Sequence, residues 1–358
     1  MLDRCYKKAS GSLRHFALTT SARAFCLVAI VATFGCGLER GLEQSPFSRE
    51  VQTDIANAKA TARGDLDGYL NLCPAPKGPV NKLKENIALA GQVLTVRLGD
   101  PEPIHPQKIF DNLYFLGTDF VSSWAIKTSQ GLILLDTLNN DADGQQIEAA
   151  LRKLGLDPSD IKYMVIGHGH ADHYGGATYL KAKYGARIVM SAVDWSKLQT
   201  NSGFDVDHWV WGRSRPPKRD ISVREGNALR LGDTVLSFYL TPGHTPGSIS
   251  VIFPVKDGNV TYNAMFWGGT NFESARTAVD LRKVAARIDQ MRIIARKHRV
   301  FVHISNHSRY DRSLDKVMRI QAPGYAGTNP FLMGPETVDR SLSVMAQCAR
   351  AAAANVSK

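Results

Sequence analysis

From residue 108 onward the period of apolar and polar positions changes repeatedly, and the changes mark elements. Short apolar, β-branched runs predict strands over 109–116, 123–128 and 131–137, the last carrying Asp136 near its end. A helix is predicted over 143–154, then a strand at 161–166. A helix over 176–184 follows, with Ala177, Leu180 and Tyr184 at helical spacing, and then a strand at 187–191. After a polar, aromatic-bearing stretch at 197–218, strand patterns resume at 221–223, 234–240, 249–253 and 260–266. A long helix over 274–297, a strand over 300–304 and a helix over 337–353 complete the order. Strands, helix, strand, helix, and then the same succession again, suit two sheets packed face to face with helices outside. The fold class is therefore α/β, an αββα sandwich. The chain has no dinucleotide-binding glycine fingerprint, no P-loop and no Gly-x-Ser-x-Gly elbow.

The pattern before residue 108 is different. Residues 48–70 read as a helix with Val51, Ile55, Ala58 and Ala62 on one face, and 74–79 and 101–106 are proline-bearing loops. We read 37–105 as an extension wrapping a main domain at 106–358. Further upstream, 24–35 is an apolar run of twelve behind a basic leader. That length is too short to cross a bilayer and suits the apolar region of a secretory signal. Residues 1–36 thus read as a signal peptide. The mature chain is expected to begin near residue 36 or 37, to be periplasmic or secreted, and to have no stable membrane insertion. An uncleaved anchor or a buried helix is the alternative. So is lipid anchoring through Cys36, although Thr33 fits a lipoprotein signal poorly.

Composition changes this picture little. Apolar content of 44% over 358 residues supports a sizeable core without disulfides or metal. The net charge of +11 lies partly in the leader, on Arg4, Lys7, Lys8, Arg14 and Arg23 against Asp3. The remaining basic residues are scattered, with no aromatic-basic stripe, so nucleic-acid binding is not indicated. A mild positive field favours anionic substrates. Cys73 and Cys348 are the only cysteines well inside the expected mature chain. They could pair in an oxidising compartment or remain separate thiols.

The chemistry gathers in one stretch. His168, His170, Asp172 and His173 fall within six residues, between an apolar strand and a helix. Imidazole nitrogen and carboxylate oxygen are the donors that Zn²⁺ and similar metals take. A single turn cannot wrap all four around one ion, but it can divide them between two. His244 and His307 also follow apolar strands, in turns marked by Pro, Gly, Ser or Asn. One metal would take His168, His170 and His244, and the other Asp172, His173 and His307. Each keeps room for solvent, as catalytic zinc does. Asp172 would also steer the attacking water or its proton. Asp136 is either a helix cap or a carboxylate orienting a ligand histidine. His303 reads as core or as support for the ligands, and His105, His208 and His298 read as ordinary. The 197–218 stretch, with Phe204, His208, Trp209 and Trp211, is a flap over the site or a surface loop.

The run His168-x-His170-x-Asp172-His173 resembles the signature of the metallo-β-lactamase superfamily, and 108–312 look like its fold throughout. The resemblance implies a hydrolase with two Zn²⁺ ions. Many relatives carry a bridging aspartate where this chain reads Phe266-Trp267-Gly268-Gly269-Thr270. This chain has no carboxylate there, nor the cysteine of subclass B1. The pattern is most similar to subclass B3, although the position is commonly serine in that subclass. The implied activity is opening of a carboxylate-bearing β-lactam by metal-activated water, with antibiotic resistance as its consequence. The alternative is hydrolysis of another ester, thioester or lactone. Thr270 and Asn271 are the polar side chains expected to meet the substrate, unless the two glycines only let the backbone pass close to the metals.

Overall fold

The structure is a computed structural model that describes residues 47–75, 103–200 and 215–357. The expected signal peptide with Cys36, residues 76–102 of the extension, and Phe204, His208, Trp209 and Trp211 lie outside the described residues.

Two sheets form the centre. The first runs in spatial order β1 (Gln107–Lys108), β2 (Leu113–Phe115), β3 (Trp124–Thr128), β4 (Gly131–Leu135), β5 (Ile161–Val165), β6 (Arg187–Ser191) and β7 (Ile221–Val223). It is antiparallel to β4 and parallel from β4 to β7. The second comprises β8 (Ala228–Leu231), β9 (Thr234–Leu240), β10 (Ile249–Asp257), β11 (Val260–Trp267) and β12 (Val300–Ser305). It is antiparallel except where β12 pairs with β11. The helices are α1 (Arg49–Ala62), α2 (Asp141–Lys153), α3 (Ala171–Tyr174), α4 (Ala177–Tyr184), α5 (Ala192–Gln199), α6 (Ala278–Lys297), α7 (Ser308–Asp311), α8 (Ser313–Gln321) and α9 (Pro335–Val356).

The period-two pattern sorts each strand between layers. Leu113, Phe115, Ile133, Leu135 and Val165 meet Phe238, Val251, Phe253, Phe266 and Ile304 between the sheets. Their neighbours Tyr114, Leu132, Leu134, Met164 and Ile166 face the other way, onto Ile147, Leu151 and Leu180 of α2 and α4. On the far side, Ile252, Met265 and Trp267 pack on Ile288 and Met291 of α6 and Leu342 and Met345 of α9. The result is the four-layer αββα sandwich expected from the sequence. Each fully buried aliphatic or aromatic side chain contributes about 1.5–3 kcal/mol, so this core needs no metal to hold it.

Residues 47–75 lie against the α6/α9 layer through Ala58, Ala62, Leu66, Tyr69 and Leu72. Cys73 and Cys348 are disulfide-bonded, with Cα atoms 4.2 Å apart. Among the described residues no helix is long and apolar enough to cross a membrane.

Some boundaries differ from the sequence expectation. The strand expected over 109–116 shortens to β2, because Asn112 turns across to the other sheet. Its amide donates to Pro254 O at 3.1 Å and accepts from Lys256 N at 2.7 Å. The helix expected over 274–297 begins at Ala278, where Thr277 caps the Asp280 amide. The elements α5, β8 and α8 were not among those expected, although Leu314, Val317 and Met318 of α8 have helical spacing.

One edge of the sandwich collects the C-terminal ends of β4, β5, β9, β11 and β12. There Gly167 O accepts from Ile249 N at 2.9 Å, and Ile249 O accepts from Gly268 N at 3.0 Å. Trp124 Nε1 donates to Ser305 O at 3.1 Å. The first and last of these bonds join the two sheets beneath the histidine-bearing turns, and the second continues the β10–β11 pairing.

Candidate metal centre

All six proposed ligands meet at this edge, and hydrogen bonds fix which nitrogen each histidine presents. A carbonyl oxygen can only accept, so the ring nitrogen facing it must carry the proton. His168 Nδ1 donates to Gly268 O at 2.5 Å, and His307 Nδ1 donates to Phe120 O at 3.1 Å. His173 Nδ1 donates to the Asp136 carboxylate at 2.8 Å, and His244 Nδ1 donates to Asn271 Oδ1. In these four Nε2 is the nitrogen presented inward. His170 has the opposite arrangement, with Nδ1 facing His244 Nε2 at 2.9 Å.

The donor atoms of His168, His170 and His244 lie within 4.8 Å of one another, as do those of His168, Asp172 and His173. The first group is the set expected from sequence. The second differs from expectation at one member, since His168 stands between the two groups and His307 closes the far side. His307 Nε2 is 3.8 Å from Asp172 Oδ2, and its ring centroid is 4.9 Å from that of His173. His168 Nε2 and His173 Nε2 are buried without any hydrogen-bond partner. A buried ring nitrogen left bare is costly, and a metal ion satisfies both of these once the second proton of His173 is gone. The residues present therefore fit bound zinc.

Burial lowers the pKa of His168 well below the ordinary histidine value, with the neighbouring imidazoles adding to the effect. Burial lowers His244 too, and takes His307 down to about 3. These rings are neutral at pH 7, as metal ligation requires. For His173, burial also pulls downward, but the carboxylates of Asp172 and Asp136 outweigh it and raise the pKa to about 9.

The turns are held from beneath. Asp136 has a left-handed backbone (φ 59°), which points its fully buried carboxylate back under His173. Its second oxygen accepts from Gly167 N at 2.6 Å. Of the two roles open in the sequence, the structure has the one that orients a ligand histidine.

Two further residues escaped the sequence reading. Asp194 is buried and its Oδ2 accepts from Gly169 N at 2.8 Å and Thr245 Oγ1 at 2.6 Å. It thereby ties the His168–His170 turn to the turn bearing His244. Gly247 leaves room for it, because a Cβ there would lie 2.3 Å from Asp194 Oδ1. The only sequence signal was local: Ser191 caps α5 through the Asp194 amide, which marks a helix start. Asn306 is fully buried, donates to Gly268 O at 2.8 Å and lies 3.3 Å from Nδ1 of both His168 and His173.

The turn after β11 corrects the substrate-facing expectation. Thr270 is buried, and its hydroxyl is engaged with Ser305 Oγ at 2.6 Å and Asn306 Oδ1 at 3.1 Å, so it points into the protein. Asn271 lines the cleft, but its side-chain oxygen holds His244 and also accepts from Glu273 N at 3.1 Å. The glycines have a steric role. A Cβ on Gly268 would lie 2.4 Å from Ile249 O, and one on Gly269 2.4 Å from Ser248 Oγ.

Among the described residues, the other histidines stand apart from the proposed ligands. His303 packs in the core, with Nδ1 at 3.1 Å from Tyr69 Oη and 2.8 Å from Ser341 Oγ. His105 pairs with Asp119, and His298 ends α6 beside Tyr239. Above the proposed ligands lies a cleft of about 190 Å³, walled by Phe120, Asn271, Glu273, Arg309 and Tyr310.

Residues 116–260 match the model of the metallo-beta-lactamase superfamily. Among solved structures, the subclass B3 metallo-beta-lactamase BJP-1 of Bradyrhizobium japonicum is similar over 68% of this chain and 91% of its own, at 28% identity and TM-score 0.53. Native FEZ-1 metallo-beta-lactamase of Legionella gormanii is similar over 68% and 93%, at 27% identity and TM-score 0.57. Among curated proteins, a hydroxyacylglutathione hydrolase of Acidiphilium cryptum is 27% identical over 111 residues, 31% of this chain and 38% of that protein. The chain spans less than half the length of this curated relative. Residues 116–260 thus carry a metallo-β-lactamase superfamily domain, and the fold resembles that of subclass B3 metallo-β-lactamases.

Proposed function

We propose that this protein is a zinc-dependent hydrolase that opens the ring amide of carboxylate-bearing β-lactams, with two Zn²⁺ ions on the His168/His170/His244 and Asp172/His173/His307 sets. The observation that carries this reading is the turn after β11. It offers no carboxylate between the two sets, and Ser248 fills the space that a side chain at Gly269 would need. A bridging aspartate, as in the thioester and lactone hydrolases of the superfamily, has no place there.

Bound zinc would supply Lewis acidity and a water ionised near neutral pH. The protein supplies the rest. Asp172 lines the cleft with its carboxylate 3.3 Å from His173 Nε2, where it can orient the attacking water and carry its proton to the departing amide nitrogen. Phe120 and Tyr310 give the cleft apolar walls. Arg309 takes the part expected of Thr270: its guanidinium stacks over the Tyr310 ring at 5.0 Å and is placed to hold a substrate carboxylate.

A second reading, hydrolysis of a glutathione thioester, is favoured by the curated hydroxyacylglutathione hydrolases. Assay of zinc-loaded protein on nitrocefin and on a hydroxyacyl thioester of glutathione, with metal content measured alongside, separates the two. Nitrocefin turnover is expected. Turnover of the thioester alone would transfer the function to the second reading, and two bound zinc ions with neither activity would indicate a binding or sensing role.

We further propose that the protein is exported, with cleavage near residue 36 and lipid anchoring through Cys36 as the lesser alternative. The Cys73–Cys348 disulfide supports an oxidising compartment. N-terminal sequencing of periplasmic material tests this.

A further inference from the structure

The extension reaches the turn that bears His307. Its 3₁₀ turn, Asp67–Leu72, packs on α7, the short helix that begins directly after that histidine. Gly68 is buried there, backbone against backbone: a Cβ on it would lie 2.3 Å from Tyr310 O and 3.1 Å from Arg309 O. Asn71 Nδ2 donates to Gly68 O at 2.9 Å and to Arg309 O at 3.3 Å. Between them, the buried Tyr69 stacks its ring on His303 of β12, with centroids 5.3 Å apart, and its Oη lies 3.1 Å from His303 Nδ1.

The turn so contacted moves as one unit. Tyr310 N donates to His307 O at 3.1 Å, His307 N to Ser305 Oγ at 3.3 Å, and Ser305 N to the buried Asp311 carboxylate at 2.8 Å. A push on Tyr310 is therefore passed to His307, because close-packed groups transmit displacement and do not absorb it. The main domain holds the same unit through Phe120 O and through Ser122 Oγ, 3.0 Å from Ser308 Oγ. The extension in turn is pinned to α9 on both sides of its 3₁₀ turn. Upstream, Asp65 takes two bonds from Arg340, at 2.9 and 2.6 Å; downstream, Cys73 is bonded to Cys348. The turns bearing His168, His170 and His244 have a different support, Asp194.

We propose that Gly68 and Asn71 are positioning residues for the second zinc set, and that the Cys73–Cys348 disulfide holds them in place to do it. The inference rests on the two-zinc reading given above and adds to it a part of the chain outside the sandwich. His307 is the member of the second set that comes from the other sheet, so its reach depends on where its turn is held. Gly68 sets how closely the extension approaches that turn, and Asn71 fixes the carbonyl of Arg309, the residue assigned to the substrate carboxylate. The disulfide restricts how far 67–72 can drift from α9.

Two measurements on the full chain test this, in Gly68→Ala, in Asn71→Ala and in the double variant Cys73→Ser/Cys348→Ser. The first is amide hydrogen exchange of the metal-free protein, which reads local opening. Exchange over 305–312 should quicken in all three variants, least in Asn71→Ala, while 165–174 keeps the parent rate. The second is stepwise zinc titration against a competing chelator. Affinity at the second site should fall by about tenfold or more in Gly68→Ala and in the cysteine variant, the usual consequence of losing a residue that orients a ligand. First-site affinity should stay at the parent value. Asn71→Ala keeps the glycine contact and the disulfide, so it should still fold and show the same selectivity if Gly68→Ala fails to fold. The proposal is overturned if exchange over 305–312 is unchanged, or if both zinc sites weaken equally, which would make the extension a support of the whole fold. The exchange measurement needs no metal, so it decides the bracing even for a parent protein that bound no zinc, an outcome that would fail the proposed function instead.

Discussion

The two proposed ligand sets differ in how completely the chain has assembled them. In the first, His170 Nδ1 and His244 Nε2 already meet at 2.9 Å, and one buried carboxylate, Asp194, ties their two turns together. In the second, Asp172 and His173 are adjacent in sequence, but His307 arrives from the other sheet and stops 3.8 Å from Asp172. The first set is preorganised by a shared support. The second depends on the β12 turn keeping its place, through Ser122 N to Asn306 O at 2.9 Å and His307 to Phe120 O. The first site should therefore bind zinc more tightly, and the second should be the first to empty. His168 belongs to both groupings, so the sharpest way to break the comparison is to remove it. His168→Ala should lose zinc from both sites and leave hydrolysis at background, while far-UV circular dichroism persists on the metal-independent core. His244→Ala and His307→Ala should each empty one site. Zinc counted by elemental analysis after dialysis decides this, and a His168→Ala protein that still holds two equivalents would show that the sets share no member.

The supports offer a second, smaller lever. Asp194→Ala should weaken the first site and Asp136→Asn the second, each by about 10–100-fold in zinc affinity, as is usual for residues that orient ligands. Asp194→Asn, which keeps one acceptor for Gly169 N, should recover part of the loss. Stepwise titration against a competing chelator reads the two sites separately. If Asp194→Ala weakened both sites equally, the carboxylate would be holding the fold and not one ligand set.

What could be read in sequence divides along the same line. The four proposed ligands between 168 and 173 stand out in sequence because a strand, a turn and a helix start are local features, and a purely structural turn has no need of so many metal-donor side chains. His244 and His307 were legible from their placement after apolar strands. Asp136 was legible as one of two roles, since position after a strand does not reveal what lies above it. Asp194 and Asn306 were not legible, because their partners lie far along the chain. Asp194 is 25 residues from Gly169 and 51 from Thr245, and Asn306 is 38 from Gly268. Thr270 was misread for a related reason: a polar residue on a turn beside a site can point either way, and β12 supplied Ser305 and Asn306 to turn it inward. The sandwich itself followed from strand periodicity. The strand β8 did not, because four residues are too few to set a period, whereas α8 was legible in the helical spacing of Leu314, Val317 and Met318 although not among the elements expected.

Proton competition gives a third contrast. In the metal-free protein His173 has its pKa raised to about 9, so its protonated form contributes stability that is present in full below pH 6.5 and is lost as pH rises through 9. His307, lowered to about 3, behaves oppositely: stability is lost as pH falls below 6.5, because only the unfolded chain takes the proton. Zinc must displace the His173 proton, so affinity at the second site should rise with pH up to about 9, with close to one proton released. The first site contains His168 and His244, both lowered by burial, and should show little dependence above pH 7. Equal pH slopes for the two sites would remove this distinction.

The smallest expected effect falls on Thr270. Its hydroxyl contacts only Ser305 and Asn306, and through Asn306 it steadies the amide that donates to Gly268 O beneath His168 and His173. Thr270→Ala leaves those buried partners short of a hydrogen bond, which typically costs about 1–3 kcal/mol of stability. Thr270→Ser restores the hydroxyl and should recover most of it. The side chain does not face the cleft, so kcat/KM should stay within about a factor of five of the parent, the equivalent of an indirect loss below 1 kcal/mol. Arg309→Ala, by contrast, should raise KM for carboxylate-bearing substrates while leaving zinc content and denaturation midpoint unchanged. Denaturant titration and steady-state kinetics on the three variants separate a residue that holds the floor of the site from one that meets the substrate. If Thr270→Ala kept full stability and lost activity on carboxylate-bearing substrates, the hydroxyl would have to swing toward the cleft in the working enzyme, and Arg309 would no longer be needed as the substrate's anchor.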